Sequence, residues 1–272
     1  MRSPVRPTLA LLALVALTAS AVSAQAVATA PATEIQSRTY AFADAGRAMP
    51  YELFVPSTYD STTPTPLIVA LHGLGSNPRQ VIRYQGLTEF AEARGYIVVA
   101  PMGYSTGGWY GSLGHGRIPT RGDSTIGPDN HGALSEEDVL NVLGIVRQEF
   151  NIDANRIFLF GHSMGGGGSY HIVMEHPRLF RALAVAAPAI YSSPDSLRLI
   201  RALPVIVVQG DADRLVDVRT TRRWVATMDS LGMTHEYIEV PGGDHSMLIA
   251  RDRANMGRIF DFFDRVGGSS GH

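Results

Sequence analysis

Between Arg156 and Ser169 the chain reads Arg-Ile-Phe-Leu-Phe-Gly-His-Ser-Met-Gly-Gly-Gly-Gly-Ser. A short apolar run enters Gly161-His162-Ser163-Met164-Gly165, and a helix-like segment follows. This pattern sets a serine on a sharp strand-to-helix turn with its hydroxyl exposed. Glycines at 161 and 165 suit such a turn, because a Cβ at either place meets neighbouring backbone. Amides at the start of the following helix point at the serine, where they can hold a developing negative charge. Four successive glycines, 165–168, cost a helix about 0.5–1 kcal/mol each relative to alanine. Such a run requires a compensating reason, and close packing of the helix against the strand beneath the turn supplies one.

The same five-residue pattern occurs twice more, at Gly103-Tyr-Ser105-Thr-Gly107 and Gly267-Gly-Ser269-Ser-Gly271. The first leads into Gly108-Trp-Tyr-Gly-Ser-Leu-Gly, which is no helix, and the second lies in a glycine- and serine-rich C-terminal stretch. Only Ser163 has a strand before it and a helix candidate, 169–176, after it.

The rest of the chain alternates. Strand candidates are Arg38–Ala43, Tyr51–Val55, Leu67–Leu71, Tyr96–Ala100, Arg156–Phe160, Ala182–Ala186, Val205–Val208 and Glu236–Val240. Several are apolar without alternation, as in a parallel sheet buried on both faces. Helix candidates are Val81–Arg94, Ser135–Phe150, Ser169–His176, Asp217–Leu231 and Arg251–Arg265. Ser135, with Asp138 three residues later, reads as a capping box that opens its helix. Two edge strands followed by βα units predict a doubly wound, mostly parallel α/β sheet of about eight strands in one domain. Residues 37–266 are expected to form it.

Residues 1–24 have the form of a secretory signal. Arg2 and Arg6 give a positive start, Leu9–Leu17 is apolar but short for a span, and Val22-Ser23-Ala24 offers small residues for cleavage. An uncleaved N-terminal anchor is the alternative. A flexible lead-in is expected over 25–36 and a flexible tail over 267–272. Secreted or periplasmic localisation follows, with no stable membrane insertion once the signal is removed.

Composition narrows the chemistry. There is no cysteine, and all 23 basic residues are arginine. Thiolate nucleophiles, thiolate metal sites, disulfides, lysine Schiff bases and P-loop lysines are therefore excluded. No basic stripe suggests nucleic acid.

A serine hydroxyl needs a base to take its proton and a carboxylate to orient that base. The acid should follow a later strand, where Val208-Gln-Gly-Asp211-Ala-Asp213 occurs; Asp213 is preferred, with Asp211 as the alternative and Asp217 as a helix cap. The base should follow the last strand, and His245 lies in Pro241-Gly-Gly-Asp-His245. His72 and His162 are expected to brace loops near the site. Two backbone donors are expected for an oxyanion, the amides of Met164 and Leu74. The stretch 103–134 is glycine-rich and aromatic, without periodicity, and its Tyr104, Trp109 and Tyr110 are candidate substrate-binding residues or else a locally packed loop. No metal or cofactor is required.

Together these segments resemble the α/β-hydrolase superfamily. More narrowly, they resemble secreted bacterial esterases of the polyhydroxybutyrate-depolymerase and feruloyl-esterase type, bordering on prolyl-oligopeptidase-like hydrolases. The likeness covers about residues 50–265. It is most specific at Ser135-Glu-Glu-Asp-Val139, Asn151-Ile-Asp153, Asn155-Arg-Ile157 and Gly161–Gly168. Gln209 departs from it, since many relatives have histidine there; the difference bears on how the acid loop is braced. The resemblance implies an α/β-hydrolase fold and hydrolysis of carboxylic esters through a Ser-His-Asp triad and an acyl-enzyme. Small-molecule or polysaccharide-linked esters, phenolic, acetyl-sugar or short-chain, are the expected substrates. A serine peptidase acting on small peptides is the alternative, and a non-catalytic binding module keeping the fold is a third reading.

Overall fold

The computed structural model describes residues 34–113 and 130–268. The signal and most of the lead-in, His115, much of the 103–134 stretch and the last four residues lie outside them.

Among the described residues, eight strands form one sheet. They are β1 (Gln36–Phe42), β2 (Arg47–Phe54), β3 (Thr65–Leu71), β4 (Ile97–Pro101), β5 (Ile152–His162), β6 (Ala182–Ala186), β7 (Val205–Gly210) and β8 (His235–Val240). Their order is β1-β2-β4-β3-β5-β6-β7-β8. β2 is antiparallel to both neighbours, and every other pairing is parallel. The apolar runs explain the centre of the sheet, for β3, β4, β6 and β7 are buried along their whole length. β1 begins at Gln36, inside the segment expected to be lead-in.

Among the described residues, seven α-helices flank the sheet: α1 (Pro78–Val81), α2 (Leu87–Arg94), α3 (His131–Glu149), α4 (Met164–Glu175), α5 (Val218–Leu231), α6 (Met247–Ala250) and α7 (Arg253–Gly267). Alternate strand residues feed the two faces. Leu67, Val69 and Leu71 join a core with Val139 and Val142 of α3, Ile172 of α4 and Trp224 of α5. Ile68 and Ala70 join a second core with Val81, Ala91, Leu248 and Phe260, from α1, α2, α6 and α7.

Two expectations need correction. The helix expected over 81–94 begins only at Leu87, after α1 has ended at Val81 and the backbone has passed through Gly86 at φ 91. The helix expected over Arg251–Arg265 is α7, with Asp252 capping it by accepting from the Asn255 amide at 3.0 Å. Ser135, by contrast, does not open a helix. α3 starts at His131, so Ser135 and Asp138 lie within it, fully buried. Their side chains turn outward from the capping role and fasten a neighbouring loop. Ser135 Oγ donates to the Gly103 carbonyl at 2.6 Å and accepts from the Tyr110 amide at 3.0 Å. Asp138 accepts from the Gly103 amide and from the Tyr40 hydroxyl, both at 2.6 Å. Burial raises the Asp138 carboxyl above its usual range, opposed by these donors. The loop they hold carries an unusual backbone, with Tyr104, Trp109 and Tyr110 all at positive φ.

Candidate active site

Ser163 stands between β5 and α4 at φ 56, ψ −116, outside the regions a serine ordinarily occupies. Such a conformation costs about 1–3 kcal/mol and persists only where its surroundings impose it. Here both ends are held. The Ser163 amide donates to Ala186 O at 2.9 Å, and its carbonyl accepts from the Ala189 and Gly167 amides at 2.9 and 3.1 Å. The glycine run is explained by what it approaches. A Cβ on Gly165 would overlap the Leu71 carbonyl, one on Gly167 the Ala189 carbonyl, and one on Gly168 the ring of Tyr110.

The strand ends bring Ser163, Asp213 and His245 together. Ser163 Oγ lies 2.8 Å from His245 Nε2, and His245 Nδ1 lies 2.8 Å from Asp213 Oδ2. With Nδ1–H donating to the carboxylate, Nε2 is left to accept the serine proton. Asp213 follows β7 and has no exposed side-chain surface, while His245 follows β8 and is only slightly exposed. Burial pushes the Asp213 carboxyl up. The amides of Val216 and Leu215 and the His245 imidazole outweigh this and hold it below its usual value. Asp211 is engaged elsewhere, accepting from the Gly242 amide at 2.6 Å, and Asp217 caps α5.

Two further polar groups grip this arrangement. Gln209, wholly buried on β7, donates from Nε2 to Asp213 Oδ2 at 3.0 Å. Its Oε1 accepts from Thr221 Oγ1 at 2.9 Å, which fixes the orientation of the amide. On the other side, His162 Nε2 donates to the backbone carbonyl of His245 at 2.9 Å, and its Nδ1 accepts from the Tyr84 hydroxyl at 2.7 Å. Burial lowers the His162 pKa to about 4, so the ring is neutral at ordinary pH. His72, also buried, sets Nδ1 2.8 Å from Gly73 O and Nε2 2.8 Å from Met102 O, and so ties the loop after β3 to the residue after β4. Nothing in the sequence singles out Tyr84 or Thr221, since no local signal marks a tyrosine or a helix threonine as a partner of a distant loop.

The loop after β3 approaches the serine closely, and a Cβ on Gly73 would lie 3.3 Å from Ser163 Cβ. Leu74 follows on the edge of the same cleft. Met164 is the first residue of α4, so its amide is one that a helix start leaves without an intrahelical partner. The cleft above Ser163 and His245 has a volume of about 1400 Å³. Of the three candidate aromatics, Trp109 lines it and meets Tyr191 edge-on at 5.2 Å. Tyr110 is fully buried beneath, donating to His72 O at 3.2 Å, so it braces the loop and does not face the cleft. Tyr104 packs its ring under the Arg47 guanidinium at 4.2 Å, also away from the cleft. Ser105 is bound to His131, with 2.7 Å between Oγ and Nε2, far from any triad arrangement.

A family described as "Putative esterase" matches residues 43–247. The chain belongs to this esterase family. Among curated proteins it is 29% identical over 172 residues to "Putative esterase NocK" of Nocardia uniformis subsp. tsuyamanensis, covering 63% of this chain and 47% of that protein. It is 27% identical over 158 residues to feruloyl esterase D of Neurospora crassa, covering 53% of this chain and 47% of that one. The chain thus spans less than half the length of these relatives. Among solved structures, a thermostable esterase superposes with a TM-score of 0.64 at 24% identity, covering 85% of this chain and 62% of that one. A ferulic acid esterase from Anaeromyces mucronatus superposes at 0.66 with 17% identity, covering 88% and 92%. These likenesses show that this esterase-family chain has the α/β-hydrolase fold.

Proposed function

We propose that this chain is a serine carboxylic-ester hydrolase working through Ser163, His245 and Asp213. The observation that carries the reading is the continuous hydrogen-bonded path from Ser163 Oγ through the His245 ring to Asp213, 2.8 Å at each step. Ser163 Oγ attacks the ester carbonyl carbon while its proton passes to His245 Nε2. The carbonyl oxygen becomes an oxyanion and is held by the amides of Met164 and Leu74. Loss of one such donor costs about 10²–10³ in rate. Collapse of the tetrahedral adduct breaks the ester C–O bond, and His245 gives its proton to the departing alcohol. Water, deprotonated by the same ring, then attacks the acyl-serine and releases the acid. Asp213 keeps the Nδ1 proton in place and stabilises the imidazolium as it forms. Every group used is supplied by the chain itself.

Trp109 and Tyr191 offer aromatic surface beside the serine, which supports phenolic esters alongside acetyl-sugar and short-chain ones. Against an aminopeptidase stands the cleft's lining, which contains no Asp or Glu among the described residues to anchor a peptide amine. The form of residues 1–24 supports a mature enzyme that begins near residue 25 and works outside the cytoplasm, with the hydrolase domain over 37–266. Among the described residues, no helix is long and apolar enough to cross a membrane.

The test is turnover of p-nitrophenyl acetate by the wild type and by Ser163→Ala, with fluorophosphonate labelling in parallel. Loss of both turnover and labelling in the variant is expected. Equal turnover in the two proteins excludes Ser163 as the nucleophile.

A further inference from the structure

The cleft has two unlike lips, one over each face of the sheet. Over the α3–α4 face stand Trp109, Leu113, Ala189 and Tyr191, an apolar and aromatic wall. Over the α1–α6 face stand Ser76, Arg79, Gln80, Arg83, Gln85 and Arg251. Three guanidinium groups therefore border one side of the site, in a chain whose formal net charge is −2. No Asp or Glu joins them among the described lining residues.

The lip is built on tied backbone. Asn77 caps α1, its side chain accepting from the Gln80 amide at 3.1 Å. The Gln85 amide donates to Ala250 O at 3.1 Å, joining the segment after α1 to the end of α6. Arg83 is partly spoken for, donating to Arg79 O at 2.8 Å and standing 3.7 Å from Glu52. Arg79 and Arg251 are exposed, and among the described residues neither has a carboxylate at ion-pair distance. Like charges around a concave surface focus the field into it. A planar guanidinium fork matches a carboxylate through two parallel hydrogen bonds.

Position decides which half of an ester meets this lip. His245 gives its proton to the leaving alcohol, so the alcohol departs on the His245 side. Ser246 follows His245 directly, Ala250 and Arg251 stand at the end of the short α6 after it, and the His245 carbonyl is held by His162, itself bound to Tyr84 beside Arg83. The alcohol half therefore lies over α1 and α6, and the acyl half against Trp109 and Tyr191.

We propose that Arg79, Arg83 and Arg251 form an anion-recognition subsite, and that the preferred substrates are esters whose alcohol half carries a carboxylate. This rests on the esterase reading above. The experiment compares kcat/KM for 4-acetoxybenzoate and its neutral analogue 4-acetoxybenzamide, in the wild type and in Arg79→Gln/Arg251→Gln. The intrinsic reactivity difference between the two esters cancels when the ratios of the two proteins are compared. The benzoate-to-benzamide ratio is expected to fall about tenfold in the double variant, the scale of a lost charge-assisted contact. In the wild type it is expected to fall as NaCl rises from about 20 mM to about 0.5 M, where the screening length shrinks several-fold. Arg79→Lys/Arg251→Lys, which keeps the charge and loses the fork, is expected to fall between, and thermal melting verifies that each variant is folded. A ratio unchanged by charge removal and by salt, with both esters hydrolysed and Ser163→Ala inactive, overturns the subsite and leaves the esterase reading intact. Hydrolysis of neither ester, or of both by Ser163→Ala, overturns the esterase reading and the subsite with it.

Discussion

Gln209 offers the sharpest test of how the acid is held. Its Nε2 donates to the same Asp213 oxygen that accepts from His245, at 3.0 Å, and Thr221 fixes its other end. The substitution Gln209→Glu keeps the shape and changes only what the group can donate. When protonated, the introduced carboxyl offers an O–H to Asp213 and a carbonyl to Thr221, so the network is preserved. When ionised, it sets a second carboxylate against the first. At about 4 Å between charge centres and an effective dielectric of about 20, the repulsion is about 4 kcal/mol. At about 1.36 kcal/mol per tenfold, this moves the new carboxyl from about 4.3 to about 7, before burial raises it further. The variant is therefore expected to match the wild type in kcat/KM near pH 6 and to lose activity on a new descending limb above about pH 7. Gln209→Leu removes the donor at every pH. It is expected to lose about tenfold in kcat/KM without a new limb, and about 1–3 kcal/mol in stability from the stranded Thr221 hydroxyl. The assay is kcat/KM against pH on a neutral ester, with urea unfolding alongside. Superimposable pH profiles for the wild type and Gln209→Glu would refute the claim that this amide orients Asp213.

Two further outcomes follow from the geometry. His162 has its folded pKa lowered to about 4 from an ordinary 6.5, so the unfolded chain binds the proton first. Stability from this residue is fully present above about pH 6.5, drains as pH falls, and is down by roughly 3 kcal/mol near pH 4; the difference in urea stability between wild type and His162→Gln should shrink by that amount over this range, and a constant difference would contradict it. Gly167→Ala drives a methyl into the Ala189 carbonyl, beside the Ala189 amide that holds the turn bearing Ser163. A loss of about 2 kcal/mol or more is expected, the upper part of the overpacking range, together with lower kcat/KM for neutral esters; a melting temperature equal to wild type would show that the helix can shift away.

The parts that are legible in the sequence share a cause. Residues 163, 213 and 245 each sit just past a strand, and parallel strands deliver their C-terminal ends to one edge. The strands buried on both faces, β3, β4, β6 and β7, stand out as continuous apolar runs, whereas β1 and β8 are partly exposed and mixed in sequence. What the sequence hides depends on side-chain direction at a distance. Ser135 and Asp138 fit a capping box by spacing, yet the helix begins four residues earlier at His131, and both side chains serve the Gly103–Tyr110 loop. Tyr110 and Trp109 are adjacent, both at positive φ and both packed in the core, but only Trp109 also borders the cleft. No periodicity encodes that choice. Arg79, Arg83 and Arg251 do not stand out in the sequence, because arginine supplies every basic residue in the chain.

The supports of the proposed triad have a common character. Gln209 holds the acid from beneath, and His162 holds the base through its backbone carbonyl. Both are buried, and both donate while uncharged. An amide does not titrate, and His162 gains its proton only near pH 4. A charged brace in either place would attract or repel the ionised Asp213 and couple its own titration to the proposed catalytic groups. With neutral donors, the hydrogen-bonded frame is the same across the whole range in which the reaction can run. A kcat/KM profile measured between about pH 5 and about pH 9 then reports proton transfer between Ser163 and His245 of the proposed triad, not the failure of the groups that hold it.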